Sequence, residues 1–172
     1  MKTMELIAPC HFGLEAVLKR EIQDLGYEIS RVEDGRVSFY GDAQAVCLAN
    51  VFLRTAERVL VRVGRFRAET FDELFEATKA LPWEDYLPKT ARFWVTKAAS
   101  VNSRLFSPSD IQSIVKKAIV ERLKLRYHVD WFEESGADYP IRVFFRKDEA
   151  VIALDSSGES LHKLLEENQK SS

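Results

Sequence analysis

Residues 4–42, MELIAPCHFGLEAVLKREIQDLGYEISRVEDGRVSFYGD, decide the fold of the first half of the chain. The short apolar run at positions 4–9 ends in a proline and predicts a strand. Apolar residues then recur at helical spacing over 13–25, and Gly26 suits the position that follows a helix. This stretch therefore predicts a strand followed by an amphipathic helix.

The next stretch predicts a β-hairpin and a second helix. Two alternating segments, 27–33 and 36–40, flank an Asp34-Gly35 pair, which is a strong hairpin turn signal. Asp42 then suits the N-cap of a helix over 43–53, where its carboxylate can accept a backbone hydrogen bond. We expect the buried side chains of this helix to be Val46, Leu48, Val51 and Phe52.

Residues 58–66, RVLVRVGRF, close this half with a strictly alternating pattern. This pattern predicts a half-buried strand with a cationic outer face. The two faces carry Val59, Val61 and Val63 against Arg58, Arg62 and Arg65. The resulting order β-α-β-β-α-β is the ferredoxin-like arrangement, with two helices on one side of a four-stranded antiparallel sheet. That fold supports many activities and by itself specifies none.

The second half of the sequence also predicts a mixture of helices and strands, but in a different order along the chain. A helix opens after a polar loop, because Ser107 suits the N-cap, Pro108 position N1 and Asp110 position N3. Its inward stripe is expected to be Ile111, Ile114, Val115, Ala118, Ile119 and Leu123. The expected elements are a helix over 71–81, a strand over 91–100, a loop over 102–107, the helix to about residue 126, a loop over 136–140 and strands over 141–146 and 150–155.

These elements predict the α+β fold class and a division into two domains. We place a ferredoxin-like βαββαβ domain over residues 1–68, an α/β domain over 69–157 and a polar tail over 158–172.

Composition excludes several classes of protein. The 172 residues are 46% apolar and carry a net charge of −2, which argues against a disordered chain and against an overall basic one. The apolar runs are far shorter than the roughly 20 residues of a membrane span, and the first residues lack the apolar core of a signal peptide. Two cysteines, Cys10 and Cys47, indicate reduced thiols in a cytoplasmic protein.

No catalytic or cofactor motif is recognisable in the chain. Its seven glycines leave little material for a glycine-rich phosphate cradle. The three histidines lack metal-ligand spacing, and Cys10 and His11 project to opposite sides of a strand end. The loop acids Glu133, Glu134 and Asp138 are expected to be solvated. We therefore predict no catalytic residue, no metal site and no cofactor bound by this chain.

Positive charge is concentrated in one quarter of the sequence. Residues 92–126 hold eight basic and two acidic residues, so this stretch carries +6 and the remainder of the chain −8. A local positive potential attracts polyanions even where the net charge is small. We expect Lys116, Lys117 and Lys124 to face solvent, and the helix N-terminus with its polar loop to offer a phosphate seat. A solvated helix face without a ligand is the competing interpretation.

Four aromatic residues have two possible roles. Trp83, Trp94, Trp131 and Phe132 can stack on unpaired bases or pack between the two domains. Trp94 is expected to point away from both of its strand neighbours, so that one side of this strand exposes an aromatic ring.

Several stretches resemble a known family. LIAPCHFGLEAVLKREIQDLG, DGRVSFYGD and RTAERVLVRVGRFRAETFDELFE look like the start of the bacterial RlmL/YpsC-type and archaeal Trm14-type RNA methyltransferases. VNSRLFSPSDIQSIVKKAIVERL and IRVFFRKDEAVIALDSSGESLHK look like the THUMP domain that follows in that family. The resemblance covers about residues 4 to 163, and a profile of the THUMP region is expected to start near residue 45.

The resemblance implies an RNA-binding module. In that family, a ferredoxin-like domain and a THUMP core hold structured RNA for a separate domain that uses S-adenosylmethionine (SAM). Some members of that family modify guanine N2 in large-subunit ribosomal RNA, and relatives act on tRNA. The implied RNA-binding residues, with Lys116 the best match, are Lys97, Asn102, Ser103, Arg104, Ser107, Lys116, Lys117, Lys124 and Arg142.

The chain departs from that family after Lys163. The R-G-Y-R segment, the glycine-rich cofactor loop and the N-P-P-Y type motif of the family are absent from the sequence. We therefore expect this chain not to be an enzyme alone, but to work with a methyltransferase domain in cis or in trans. Its expected partners are structured RNA, ribosomal rather than transfer RNA, with no membrane and no metal.

A protein-interaction or regulatory module without RNA affinity is the alternative. Ferredoxin-like sheets pair edge to edge or bind small effectors, and the acidic remainder of the chain suits a protein partner. A third interpretation, an enzyme with its own site, would require the chain itself to bind SAM.

Overall fold

A computed structural model describes residues 3–156, 161 and 165–167 of the chain. The chain divides into two compact units, residues 1–62 with 155–172, and residues 63–154. Helices and strands are mixed in both, so the predicted α+β class is confirmed.

The first unit contains the predicted βαββαβ order. Its sheet order is β2-β3-β1-β4, and each of these three pairs is antiparallel. Helix α1 contacts β2 and β3, and α2 contacts β3. The elements are β1 (Met4–Pro9), α1 (Glu15–Asp24), β2 (Ile29–Glu33), β3 (Arg36–Gly41), α2 (Ala43–Phe52) and β4 (Leu60–Arg67), which begins in this unit.

The turns of this unit follow the local signals in the sequence. Gly26 after α1 and Gly35 in the β2–β3 turn have φ values of 94° and 81°, which glycine adopts without steric strain. Asp42 caps α2, since its Oδ1 accepts a 3.0 Å hydrogen bond from the Ala45 N–H. These three predictions are confirmed.

The predicted buried face of α2 is largely wrong. The helix buries Ala43, Ala45, Val46 and Ala49. Leu48 is half-buried, whereas Val51 and Phe52 are 68% and 56% exposed. A Cβ at Gly41 would lie only 2.4 Å from the Ala45 Cβ, so the helix packs very closely on β3. Small side chains permit that approach, and the larger residues are turned outward.

The predicted cationic face of β4 is neutralised. Arg58 pairs with Asp155, Arg62 Nε lies 3.1 Å from the buried carboxylate of Glu5, and Arg65 Nε lies 3.4 Å from Glu149. The predicted strict alternation is only partly observed, because Val59, Val61 and Val63 are buried but Leu60 is fully buried as well. Strand neighbours supply the carboxylates, so these arginines form ion pairs rather than a surface of free positive charge.

The second unit builds its sheet in the order β4-β7-β6-β5. Strands β5 and β6 are parallel, β6 and β7 are antiparallel, and β5 is at the edge. Helix α4 packs on both α3 and β5. The elements are the end of β4, α3 (Phe71–Lys79), a 3-10 turn (Trp83–Asp85), β5 (Arg92–Val101), α4 (Pro108–Tyr127), β6 (Asp138–Arg146) and β7 (Glu149–Asp155).

The predicted loop at 136–140 is too long. Strand β6 begins at Asp138, which is in register with Arg92 of β5. Pro140 fits into this strand because β6 pairs with β7 only from Ile141 onward, so no β7 carbonyl requires the missing N–H.

Helix α4 follows its predicted pattern closely. The predicted stripe residues Ile111, Val115, Ala118, Ile119 and Leu123 are buried, and Ile114 is half-buried. Ser107 occupies the N-cap without a side-chain capping bond, and its hydroxyl lies 3.3 Å from that of Ser109.

Two further expectations concern the ends of the chain and the membrane. Most of the predicted polar tail at 158–172 lies outside the described residues, but Leu161 and Leu165 are described and are buried. Across the described part of the chain, no helix is both long and apolar enough to span a bilayer.

Candidate nucleic-acid interface

The loop 102–107 between β5 and α4 is fixed by the β6–β7 turn. The Ser103 hydroxyl donates to the Val101 carbonyl and accepts from the Asp148 N–H, both at 3.0 Å. The Asp148 carboxylate in turn accepts a 2.7 Å bond from the Arg104 N–H. Lys147 and Asp148 both have positive φ, as a type I′ turn requires. The turn therefore holds this loop in one shape.

The same loop displays several side chains outward. Leu105 is buried and anchors it, while Asn102, Arg104 and Phe106 are exposed. Phe106 is 76% exposed. In the sequence it lies two residues after Arg104 and two residues before the start of α4. Sequence reasoning missed this residue, although an aromatic side chain within a polar loop beside Arg104 was a usable signal.

Two lysines on the elements that this loop connects carry free positive charge. Lys97 on β5 and Lys117 on α4 are both exposed. Within the described ranges, neither has a carboxylate at ion-pair distance. Lys117 shares an exposed stripe of α4 with Ser113, one turn earlier. The prediction that Lys117 faces solvent is confirmed.

The prediction that Lys116 faces solvent is wrong. Its Nζ donates to the Phe93 carbonyl, lies 3.6 Å from the centre of the Phe93 ring and is 3.9 Å from a Glu134 oxygen. Burial lowers the pKa of Lys116, and the Glu134 carboxylate opposes that shift. The physical reason is the edge position of β5, whose outward carbonyls need donors: Gln112 Nε2 likewise donates to the Val95 carbonyl at 3.1 Å.

The other five cations between residues 92 and 126 all have acidic partners within this unit. A count of charges along the sequence therefore overestimates the local positive potential. The closest N–O separations are 2.7 Å for Arg92–Asp138, 3.4 Å for Arg104–Glu69, 2.8 Å for Arg122–Glu84, 3.3 Å for Arg126–Glu84 and 3.9 Å for Lys124–Glu121.

The remaining predicted site residues are distributed over this unit. Ser107 is half-buried at the start of α4, and Lys124 is half-buried near its end. Arg142 is half-buried in β6. The structure therefore brings together Asn102, Ser103, Arg104 and Ser107 in one loop, and the other residues lie on β5, α4 and β6.

The four aromatic residues that could stack on bases differ in their exposure. Trp83 is fully buried and donates its indole N–H to the Thr78 carbonyl at 2.8 Å, so it is not available for stacking. Trp94 and Trp131 are 42% and 75% exposed, and Phe132 is half-buried. The expectation that one side of this strand exposes an aromatic ring is confirmed, and the exposed residue is Trp94.

A cavity of about 360 Å³ opens beside Lys116. Asp138 is exposed, as expected, and forms an ion pair with Arg92. Within the described residues, no group of three or more metal-ligating side chains converges. The cavity is lined by Arg92, Phe93, Trp94, Lys116, Glu134 and Asp138.

Two family models match the chain. The model of the RlmL ferredoxin-like domain matches residues 5–60, and that of the THUMP domain matches residues 68–155.

Known proteins are similar over most of this chain. The putative RNA methyltransferase YpsC of Bacillus subtilis is 52% identical over 95% of the chain and 42% of its own length. The ribosomal RNA large subunit methyltransferase K/L of Syntrophotalea carbinolica is 29% identical over 88% of the chain and 21% of its own length. The crystal structure of a possible methylase from Clostridium difficile superposes with a TM-score of 0.88, at 47% identity over 91% of this chain and 42% of that one. The chain thus spans less than half the length of these relatives.

Proposed function

The chain belongs to the THUMP domain family and carries an RlmL ferredoxin-like domain ahead of it, and from this premise we propose that it binds structured RNA for methylation. The methyl transfer is assigned to a separate SAM-dependent domain, acting in cis or in trans. Relatives named as RNA and ribosomal RNA methyltransferases support this role. The proposed substrate is ribosomal rather than transfer RNA, and the proposed target atom is guanine N2.

The glycines of the described residues do not fit a SAM site. Gly13, Gly26 and Gly35 have positive φ and serve turns, while Gly41 and Gly64 are packed against neighbouring side chains. A glycine-rich strand-turn-helix, which cradles a nucleotide cofactor, is not formed by them. We therefore propose that SAM is bound by the methyltransferase domain and not by this chain.

The observation that carries the RNA-binding proposal is the fixed loop 102–107, together with two exposed lysines on the strand and the helix that it connects. Arg104 lies within the loop, and Lys97 and Lys117 flank it on the adjoining strand and helix. Phosphate oxygens accept hydrogen bonds from such cations and from loop N–H and hydroxyl groups. This surface is therefore suited to a sugar–phosphate backbone.

Phosphate contacts fix the position of an RNA without reading its sequence. Each neutralised phosphate releases counterions, so the binding constant falls as salt is raised. Three contacts, from Lys97, Arg104 and Lys117, give a slope of log K against log[salt] of about −2 to −3.

The test is a salt titration of binding to a hairpin RNA, followed by fluorescence anisotropy. The double variant Lys97→Glu/Lys117→Glu should bind roughly tenfold more weakly at about 100 mM salt and show a slope flatter by about 2. Different hairpin sequences should be affected alike, because the contacts are to phosphates.

A matched control exists on α1. Lys19 and Arg20 are exposed and carry the same charge, so Lys19→Glu/Arg20→Glu changes the net charge equally. This control should leave the slope unchanged. Equal losses in both double variants, or binding that does not respond to salt, would contradict the proposal.

A second candidate function, docking of a protein partner, is favoured by one observation in the first unit. Phe12, Val17, Val51 and Phe52 are all exposed there, and exposed large apolar side chains are common at protein interfaces. Sedimentation velocity without RNA tests whether the chain associates with itself. A monomer at all concentrations, together with salt-dependent RNA binding, favours the first proposal.

A further inference from the structure

We propose that Asp148 is a positioning residue for RNA binding, which makes no contact with the RNA itself but holds Arg104 where its guanidinium meets a phosphate. This inference rests on the proposed RNA-binding function and adds to it a residue that acts through another. Asp148 lies in the β6–β7 turn, and Arg104 lies in the loop 102–107 of the same unit.

Positive φ angles are concentrated where this loop meets this turn. Among the described residues other than glycine, four have positive φ, and three of them are Asn102, Lys147 and Asp148, at 50°, 50° and 65°. The fourth, His128, follows α4, which is a usual place for that conformation. Loop and turn are joined by the Lys147 N–H, which donates to the Val101 carbonyl at 3.1 Å. Because a Cβ is disfavoured at such angles, this junction is sterically costly.

Asp148 occupies a position at which the turn by itself favours glycine. Both central residues of a type I′ turn have positive φ, and glycine at the second of them avoids the steric cost. Aspartate tolerates the conformation better than most residues, but it gains nothing from the turn that glycine would lack. The reason for a carboxylate at this position therefore lies outside the turn.

Every polar group of Asp148 has a partner in another segment. Its N–H donates to the Ser103 hydroxyl at 3.0 Å, and its carbonyl accepts from the Ala68 N–H at 2.9 Å. Its Oδ1 accepts a 2.7 Å bond from the Arg104 N–H, and its Oδ2 lies 3.6 Å from Arg67 Nη2. A glycine would keep the two main-chain bonds and lose only the side-chain contacts. The carboxylate is therefore the part of Asp148 that fixes Arg104.

The Asp148 carboxylate is itself unsuited to contact RNA. Its side chain is only 15% exposed, and its negative charge repels phosphate oxygens. The Arg104 side chain, in contrast, is 71% exposed. A bond to the Arg104 N–H fixes the point from which this side chain extends, so less conformational freedom is lost when a phosphate binds. The favourable effect of Asp148 on RNA binding is therefore transmitted through Arg104.

Two charge-matched substitutions isolate this effect. Asp148→Asn and Asp148→Gly both remove the negative charge and both allow positive φ, but only asparagine keeps an oxygen for the Arg104 N–H. In the hairpin-RNA titration, we expect Asp148→Asn to bind as tightly as the unsubstituted chain, or up to about threefold more tightly because a repulsive charge is lost.

We expect Asp148→Gly to bind about fivefold more weakly than Asp148→Asn, because the loop is no longer ordered in advance. Its slope of log K against log[salt] should be flatter by up to about 0.9, as one phosphate contact is weakened. A purely electrostatic role of Asp148 would instead strengthen both variants alike. Equal affinities of the two variants, or weaker binding by Asp148→Asn, would overturn the proposal.

Lys147 provides the matched control in the same turn. It has positive φ and is exposed, so Lys147→Asn and Lys147→Gly again carry equal charge and differ only in the side chain. We expect these two variants to bind RNA alike. A gap between them as large as that at position 148 would show that glycine loosens the turn itself, and it would overturn the proposal.

Thermal unfolding checks that the variants fold. Because glycine suits the φ of Asp148, Asp148→Gly should unfold at a temperature similar to that of Asp148→Asn. If the glycine variant does not fold, Asp148→Ser takes its place with the same expected loss of affinity. The serine hydroxyl is one bond closer to the main chain than a carboxylate oxygen, so it falls short of the Arg104 N–H.

Hydrogen exchange of the Arg104 amide separates this inference from the proposed function. We expect exchange at least about tenfold faster in Asp148→Gly than in Asp148→Asn or the unsubstituted chain, because only the glycine variant lacks the acceptor. If no chain binds the hairpin at low salt, the proposed function fails, whereas the exchange rates still test whether the carboxylate holds the loop. If RNA binds but Asp148→Asn and Asp148→Gly agree in exchange and in affinity, only the present inference fails.

Discussion

Two basic regions of this protein differ in whether their cations are ion-paired. On β4, each predicted outward arginine has a carboxylate partner, as in the pair of Arg62 with buried Glu5. Around the loop 102–107, Lys97 and Lys117 are exposed, and no described carboxylate lies at ion-pair distance from them. An interior strand such as β4 has cross-strand neighbours on both sides, whereas Lys97 is on the edge strand β5 and Lys117 is on an exposed face of α4. Positive charge on an interior strand is therefore weak support for a polyanion site, and positive charge on a sheet edge or an outer helix face is stronger.

The largest expected effect is on stability, and it tests the ion-paired arginines of β4. Glu5→Gln should lower the free energy of unfolding by about 2 kcal/mol, because it removes the partner of Arg62 within a buried site that also includes the Ser30 hydroxyl. Urea unfolding measures the change. The exposed Glu57→Gln, near His11, should change stability by less than about 0.5 kcal/mol. A Glu5→Gln change as small as that of the control would show that the pairing on β4 contributes nothing.

The next effect tests the exposed aromatic residue of the loop. Phe106→Ala should weaken binding of an RNA with unpaired nucleotides by roughly fivefold, because base–aromatic stacking contributes about 1–3 kcal/mol. Stability should not change, since this side chain is mostly exposed. Fluorescence anisotropy with Phe12→Ala as an equally exposed control measures the difference. An equal effect of the two variants would argue against a role of the loop.

A smaller effect, on RNA affinity, tests whether ion pairing limits the contribution of a cation. Glu69 lies 3.4 Å from Arg104 and 2.7 Å from Arg67, so Glu69→Gln releases positive charge at the loop. RNA affinity should rise about two- to threefold, as expected for exposed ion pairs worth less than about 1 kcal/mol. Glu149→Gln, on β7 and paired with Arg65 of β4, serves as the control and should leave affinity unchanged. A reduced affinity of Glu69→Gln would contradict this explanation.

The smallest effect concerns the protonation of Lys116. Burial lowers the pKa of this lysine and Glu134 raises it, so Glu134→Gln should lower the pKa further. Because its pKa is lower in the folded state, the unfolded chain binds the proton more readily. Its contribution to stability therefore increases as pH rises from the folded pKa towards the ordinary lysine value. NMR titration of the Lys116 side chain measures the shift, and Glu121→Gln should leave it unchanged.

Much of the fold was predictable because it depends on local pattern. The βαββαβ order follows from alternation, helical spacing and turn residues such as Asp34-Gly35, and α4 follows from its apolar stripe. The buried face of α2 was not predictable in this way. Its close packing against Gly41 selects alanines, and hydrophobicity alone favours Val51 and Phe52.

The candidate site was predictable only in part. Lys117 faces solvent as its position on the helix indicates, but Lys116 lies at the border of the apolar stripe and reaches a strand edge. Periodicity does not reveal that an edge carbonyl lies nearby. Partners such as Glu84 and Glu134 come from separate segments of the chain, so their effect on the basic region depends on tertiary structure.

The donors from α4 along the β5 edge have a consequence for solubility. An exposed strand edge recruits strands of other molecules and leads to aggregation. Lys116 and Gln112 occupy the carbonyls of Phe93 and Val95, so an incoming strand finds no acceptors at these two positions. A substitution that shortens both side chains would open this edge, and precipitation could then be mistaken for a loss of ligand binding.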